Sequence, residues 1–200
     1  SEDLLQRSKF VERIVREIKM TDASQGCVLA VMGQWGSGKT SVLNLVKERL
    51  SDSGTILVEY NPWLLSGVEE LVGGLFREIN AKLNKKGVKY RAAIDKIIGY
   101  GEMLTPLTSM PVVGAWANGA LMPFQVMAKH RNLQTTSVVD QKKQVAEALA
   151  NLDSSIVVIV DDIDRLDRSE IREIFKLVRL TANFPNVVYV LSFDRIRVEN

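Results

Sequence analysis

The feature that most constrains this chain is Gly33-Gln-Trp-Gly-Ser-Gly-Lys-Thr40, set between an apolar run and a helical pattern. The preceding run, Cys27-Val-Leu-Ala-Val-Met32, reads as a buried strand. In the following stretch, Ser41 to Leu50, Val42, Leu43, Val46 and Leu50 fall on one face at helical spacing. Strand, glycine-rich turn and helix in that order fit the P-loop pattern G-x-x-x-x-G-K-[ST]. The glycines let the backbone aim its N–H groups at an anion, and the helix adds its positive N-terminal end. Gly33, Gln34, Trp35, Gly36, Ser37, Gly38, Lys39, Thr40 and Ser41 are therefore the candidate phosphate cradle. Lys39 would reach the β- and γ-phosphates, and the Thr40 hydroxyl would hold Mg²⁺. The plainer alternative is a glycine-rich turn with an incidental lysine, and the flanking strand and helix argue against it.

Two hundred residues fit one domain, or one and an appendage. A net charge of +2 is too small to announce a nucleic-acid binder. A lone cysteine, Cys27, cannot form an internal disulfide, which suits a reducing compartment. With one histidine, His130, and one cysteine, a zinc site is not expected. The charged amino terminus lacks a secretory apolar region, so a cytoplasmic location is expected.

Ser1 to Met20 is charged, and from Ser8 the residues Phe10, Ile14 and Ile18 suggest a helix. Two readings are open: a helix packed against the sheet edge, or a segment, Asp3 to Phe10, that closes over the nucleotide base. Thr55 to Tyr60 reads as a second strand, ended by Asn61-Pro62-Trp63 because Pro62 cannot donate to a ladder. From Val68, Leu71, Val72, Leu75, Phe76, Ile79 and Leu83 trace a helical stripe. Lys82, Lys85, Lys86, Lys89 and Arg91 form a basic cluster. It reads as a solvated face, or as a contact for anionic lipid or nucleic acid.

Met103 to Ala128 carries no charged side chain, a length that could cross a bilayer. Three prolines interrupt it, and one crossing would put the two halves of the nucleotide site on opposite sides of the membrane. A small packed subdomain or a membrane-surface hairpin is expected instead. Ser137, with Asp140 three residues on, opens the next helix.

Ile156-Val-Val-Ile-Val160 is a β-branched run suited to a central parallel strand, and it ends in Asp161-Asp162, a Walker B arrangement. Asp161 is the candidate Mg²⁺ carboxylate, and Asp162 the group that orients or deprotonates the attacking water. Glutamate would reach further than Asp162, so slow turnover is one expectation. A further strand, Val187 to Leu191, ends in Ser192, the candidate γ-phosphate sensor. Arg165 and Arg195 are each read in two ways, as a partner for transition-state charge or as a salt-bridge partner of an adjacent aspartate.

The order of elements predicts an α/β P-loop NTPase of the additional-strand class. Its mostly parallel sheet is flanked by helices, and a helical insertion separates the second strand from the Walker B strand. Residues 1–84 would form the P-loop half, 85–131 the insertion and 132–200 the Walker B and sensor half. Such domains usually have one further strand and a lid, so a fragment of a longer protein is expected.

Gly33-Gln-Trp-Gly-Ser-Gly-Lys-Thr40, Asn61-Pro62-Trp63, Asp161-Asp-Ile-Asp-Arg165 and Asp194-Arg195 together resemble the KAP family of P-loop NTPases, as does Asp3-Leu-Leu-Gln-Arg7. The tryptophan inside the P-loop and the Asn-Pro-Trp are the more specific marks. The resemblance implies an ATP-dependent switch using Mg²⁺, in bacteria often tied to phage exclusion or membrane-associated complexes. Relatives carry membrane segments where this chain has its uncharged stretch, which here is too short for paired spans. The expected partners are ATP and ADP, a second copy or other domains of a longer chain, and an anionic surface at the inner face of the membrane. The alternatives are a slow or non-hydrolysing assembly module, a GTPase and a small-molecule kinase, for which no acceptor pocket is readable. The guanine-reading Asn-Lys-x-Asp is absent, since Asn84-Lys-Lys-Gly87 ends in glycine.

Overall fold

The computed structural model describes residues 7–104 and 137–199, apart from 23, 52 and 66. Its helices are α1 (Arg7–Met20), α2 (Lys39–Ser51), α3 (Val68–Asn84), α4 (Arg91–Leu104), α5 (Val138–Ala150), α6 (Arg168–Thr181) and α7 (Arg195–Glu199). Its strands are β1 (Cys27–Met32), β2 (Ile56–Tyr60), β3 (Ile156–Val160) and β4 (Val187–Phe193). All strand pairs are parallel, in the order β1-β4-β3-β2. The strand β4 thus lies between the P-loop strand and the Walker B strand, which is the additional-strand arrangement.

Parallel strands need crossovers, and the helices supplying them cover both faces of the sheet. Alternation along each strand sorts the side chains. On one face Val157, Ile159, Val188 and Val190 share a core with Val42, Leu43, Val46 and Leu50 of α2 and Val11, Ile14 and Ile18 of α1. On the other, Val58, Tyr60, Val158, Tyr189 and Leu191 pack under α3, α4, α5 and α6. The predicted stripe on α3 is buried from Leu71 to Leu83. β3 and β4 are buried along their whole length, as β-branched runs in the middle of a sheet should be. The Ser137 hydroxyl accepts the Asp140 N–H at 3.1 Å and starts α5, as its spacing predicts.

One expectation is corrected. β1 is not a buried strand. Val31 is buried, but Val28 and Met32 are 41% and 56% exposed, and no described strand pairs with its outer edge. An apolar run of six cannot by itself distinguish a central strand from an edge. Helix α1 lies on α2, and its Val11, Ile14 and Ile18 share a cluster with Val31 of the edge strand β1.

In the basic cluster Lys85, Lys86 and Arg91 are exposed, and Lys89 pairs with Asp153 at 2.5 Å. Among the described residues no helix is long and apolar enough to cross a membrane. Most of the uncharged stretch, from residue 105 onward, lies outside the described residues, as do Asp3 to Gln6 and His130. At the amino-terminal end of the sheet, Asn186 adopts a left-handed conformation (φ 59°). Its side-chain amide donates to the carbonyls of Leu149 and Leu152 at 2.9 and 3.3 Å, and its own carbonyl accepts the Ile156 N–H at 2.7 Å.

Candidate active site

The P-loop leaves β1 at Gly33 and enters α2 at Lys39. Gly36 and Gly38 carry the two positive φ angles of the turn, 78° and 85°, which side chains other than glycine resist. The loop is closed internally. The Ser37 N–H donates to the Gln34 carbonyl at 3.1 Å, and Lys39 Nζ donates to the carbonyls of Gly33 and Gln34 at 2.9 and 3.3 Å. The lysine ammonium therefore spans the mouth of the loop, at the positive end of α2. Ser41 is exposed on the first turn of that helix.

The second half arrives from β3. Thr40 Oγ1 donates to Asp161 Oδ2 at 3.0 Å, joining residues 121 positions apart in the chain. Asp161 is buried, and its other oxygen accepts the Asp162 N–H at 2.9 Å, which fixes the carboxylate. Register extends the row. Val160 faces Leu191, so the next step along both strands sets Asp161 beside Ser192. Both follow residues of the α2 face, Ile159 and Val190. The Ser192 hydroxyl is fully buried and has no hydrogen-bond partner among the described residues. Leaving a buried hydroxyl unpaired costs about 1–3 kcal/mol, a cost that a ligand oxygen at this spot would remove.

Asp162 sits in the left-handed region (φ 60°, ψ 33°), a conformation costing on the order of 1 kcal/mol for a non-glycine residue. Burial pushes its carboxyl above the ordinary range. The charges of Asp161 and, less strongly, Asp164 push the same way, and Arg165 opposes them. Asp162 Oδ1 accepts from Arg165 Nε at 2.9 Å, and the Arg165 guanidinium lies 5.0 Å from the centre of the Trp63 ring. Of the two readings of Arg165, the salt bridge to an adjacent aspartate is the one observed. Arg195 pairs with neither aspartate; its Nε donates to Glu199 at 2.6 Å along α7.

The chemistry of the donor set suits Mg²⁺. A buried carboxylate and a hydroxyl stand 3.0 Å apart, and among the described residues no group of three or more His, Cys, Asp or Glu could hold a metal by itself. Thr40 and Asp161 are thus the residues that would hold the ion, with phosphate oxygens and water completing a shell, the mode in which Mg²⁺ is usually bound.

Three contributors escaped sequence reasoning. Asp194 Oδ2 accepts the Trp35 N–H at 3.2 Å and so ties the P-loop to the end of β4. Trp63 faces Arg165. Arg7 Nη2 donates to the Ser37 carbonyl at 3.1 Å, bringing α1 to the P-loop. The motif residues Asn61-Pro-Trp63 and Asp194-Arg195 hinted at the first two; Arg7 ends the Asp3-Leu-Leu-Gln-Arg7 stretch that carries part of the resemblance, and that stretch alone assigns it no role on the P-loop.

Residues 7–200 match the KAP family P-loop domain. The chain is also similar to the Phage T7 exclusion protein of Escherichia coli (strain K12), 29% identical across 218 aligned residues. That alignment takes in 97% of this chain and 29% of the relative, so the chain spans less than a third of the relative's length. The P-loop, the carboxylate that meets it and the strand between them agree with the family match across almost all of the sequence: this chain belongs to the KAP family of P-loop NTPases.

Proposed function

We propose that the protein binds and hydrolyses ATP and uses the cycle as a conformational or assembly switch. The observation that carries this reading is the 3.0 Å contact between Thr40 and Asp161, which joins the two remote halves of the site. Lys39 and the loop N–H groups bind the phosphates. Bound Mg²⁺ would neutralise charge on the β- and γ-phosphates. Asp162 orients water for attack on the γ-phosphorus and takes up its proton, and burial, which raises its proton affinity, suits that role. Ser192 offers its buried hydroxyl to a γ-phosphate oxygen and so distinguishes ATP from ADP. The relative's name, a phage exclusion protein, supports defence against phage as the setting.

A second reading is a slow assembly module in which ATP acts mainly as a structural ligand. The Asp162–Arg165 pair favours it, because a carboxylate held by a guanidinium is a weaker base. Phosphate release by the unaltered protein and by Asp162→Asn, with ATP binding followed in parallel, separates the two. The hydrolytic reading expects the variant to keep ATP and lose release, roughly 100-fold or more. Tight binding with no release from the unaltered protein leaves the module.

A further inference from the structure

Arg7 is the first residue of α1 and belongs to neither Walker motif, yet its guanidinium reaches the P-loop. Nη2 donates to the Ser37 carbonyl at 3.1 Å, and the guanidinium occupies the space into which a side chain on Gly38 would project. Gly38 therefore has two duties: it carries the positive φ of the turn and leaves room for the arginine. The placement brings a cation close to Lys39 and to the positive end of α2.

We propose that Arg7 is a positioning residue for the P-loop and that it couples nucleotide binding to the docking of α1. The inference rests on the nucleotide reading above. The carbonyl of Ser37 and the N–H of Gly38 belong to one peptide unit. A cation hydrogen-bonded to the oxygen draws electron density toward it and makes the N–H a stronger donor to phosphate, since linked hydrogen bonds polarise one another. Arg7 thus works on the loop from its outer side, through the peptide. The helix that carries it is fixed to α2 by Val11, Ile14 and Ile18, so the loop, α2 and α1 act as one body. By reciprocity, if Arg7 strengthens ATP binding, ATP strengthens the docking of the first turn of α1 by the same factor. The amino-terminal helix then reports phosphate occupancy to whatever chain it is attached to.

The test compares the unaltered protein with Arg7→Gln, Arg7→Lys and Arg49→Gln. Among the described residues Arg49 makes only an exposed pair, with Glu12 of α1, 3.5 Å apart, and serves as a control for loose docking of the helix. ATP and GTP affinities are measured by calorimetry, and backbone hydrogen exchange is followed in residues 7–11 with and without ATP. Arg7→Gln is expected to weaken both nucleotides by the same factor, at least about 5-fold, and to abolish the ATP-dependent protection of residues 7–11. Arg7→Lys, which keeps the charge without the planar fork, is expected to fall between, and Arg49→Gln to behave as the unaltered protein. ATP affinity and protection unchanged in Arg7→Gln overturn the proposal. So does an equal loss in Arg49→Gln, which would make the effect one of helix docking alone. A changed preference between ATP and GTP also overturns it, by assigning Arg7 to the base. Absence of ATP binding by the unaltered protein overturns the nucleotide reading and this one together; Arg7→Gln indistinguishable from a protein that does bind ATP overturns this one alone.

Discussion

The two faces of the sheet are built from the same four strands but to different ends. The α2 face is aliphatic throughout, with Val157, Ile159, Val188 and Val190 under α1 and α2, and its row ends in Asp161 and Ser192. The opposite face is larger and carries Tyr60, Tyr100 and Tyr189 with Phe76 and Phe184 under four helices. Two of its buried hydroxyls are paired: Tyr60 donates to the Leu71 carbonyl at 2.6 Å, and Tyr189 shares a hydrogen with Thr181 at 2.7 Å. On the α2 face the buried Ser192 hydroxyl has no described partner. The Tyr100 hydroxyl of the larger face is also buried without a described partner, so the contrast lies in position: Ser192 ends the row that leads to Asp161, whereas Tyr100 lies inside the core.

The largest effects should separate the faces outright. Lys39→Ala is expected to weaken ATP binding on the order of 1000-fold, because a charge-assisted contact is lost from the cradle, while the urea midpoint stays where it is. Ile174→Ala, under the opposite face, is expected to cost about 3 kcal/mol of stability, read by urea unfolding, with ATP affinity of the folded protein unchanged. Ile174 is nearly fully buried, so the deletion leaves a cavity. If each variant moved both measurements, the division of labour would be wrong.

A smaller effect sharpens the contrast. Ser192→Ala is expected to slow phosphate release roughly tenfold, yet to leave the protein equally stable or up to about 1 kcal/mol more stable, since an unpaired buried hydroxyl is removed. A loss of stability would show that Ser192 has a structural partner and is no sensor.

The smallest effect lies in alkali. Burial lifts the Tyr189 hydroxyl to about 12 from its usual 10.0, and burial likewise raises that of Tyr60. A raised acid stays protonated in the folded protein while the unfolded chain releases its proton. Stability is thus full below pH 10.0 and is lost as pH climbs toward 12. By pH 11 Tyr189 alone should account for roughly 1 kcal/mol. Tyr189→Phe should remove that share of the slope and cost about 1 kcal/mol at neutral pH, both read by urea unfolding at stepped pH.

Local chemistry made much of this legible in the sequence. The strands announce themselves as β-branched runs, the stripe on α3 recurs at helical spacing, and the P-loop and Asp161 are defined by residue types at set intervals. Features that depend on how distant pieces dock were harder to read. The apolar content of β1 says nothing of its neighbours, and so its place at the edge was missed. The choice of Asp162 as partner for Arg165 turns on the short turn Ile163–Arg165 and on where Trp63 lies. Arg195 finds Glu199 because α7 forms and brings the two within one turn. The reach of Arg7 follows from the angle at which α1 settles on α2, a property of two helices together.

By gripping the last turn of α5 and the first residue of β3 at once, Asn186 rivets a helix to the strand whose other end bears Asp161. The end of α5 and the start of β3 thus share a single fastening, and Asn186→Ala would release both together.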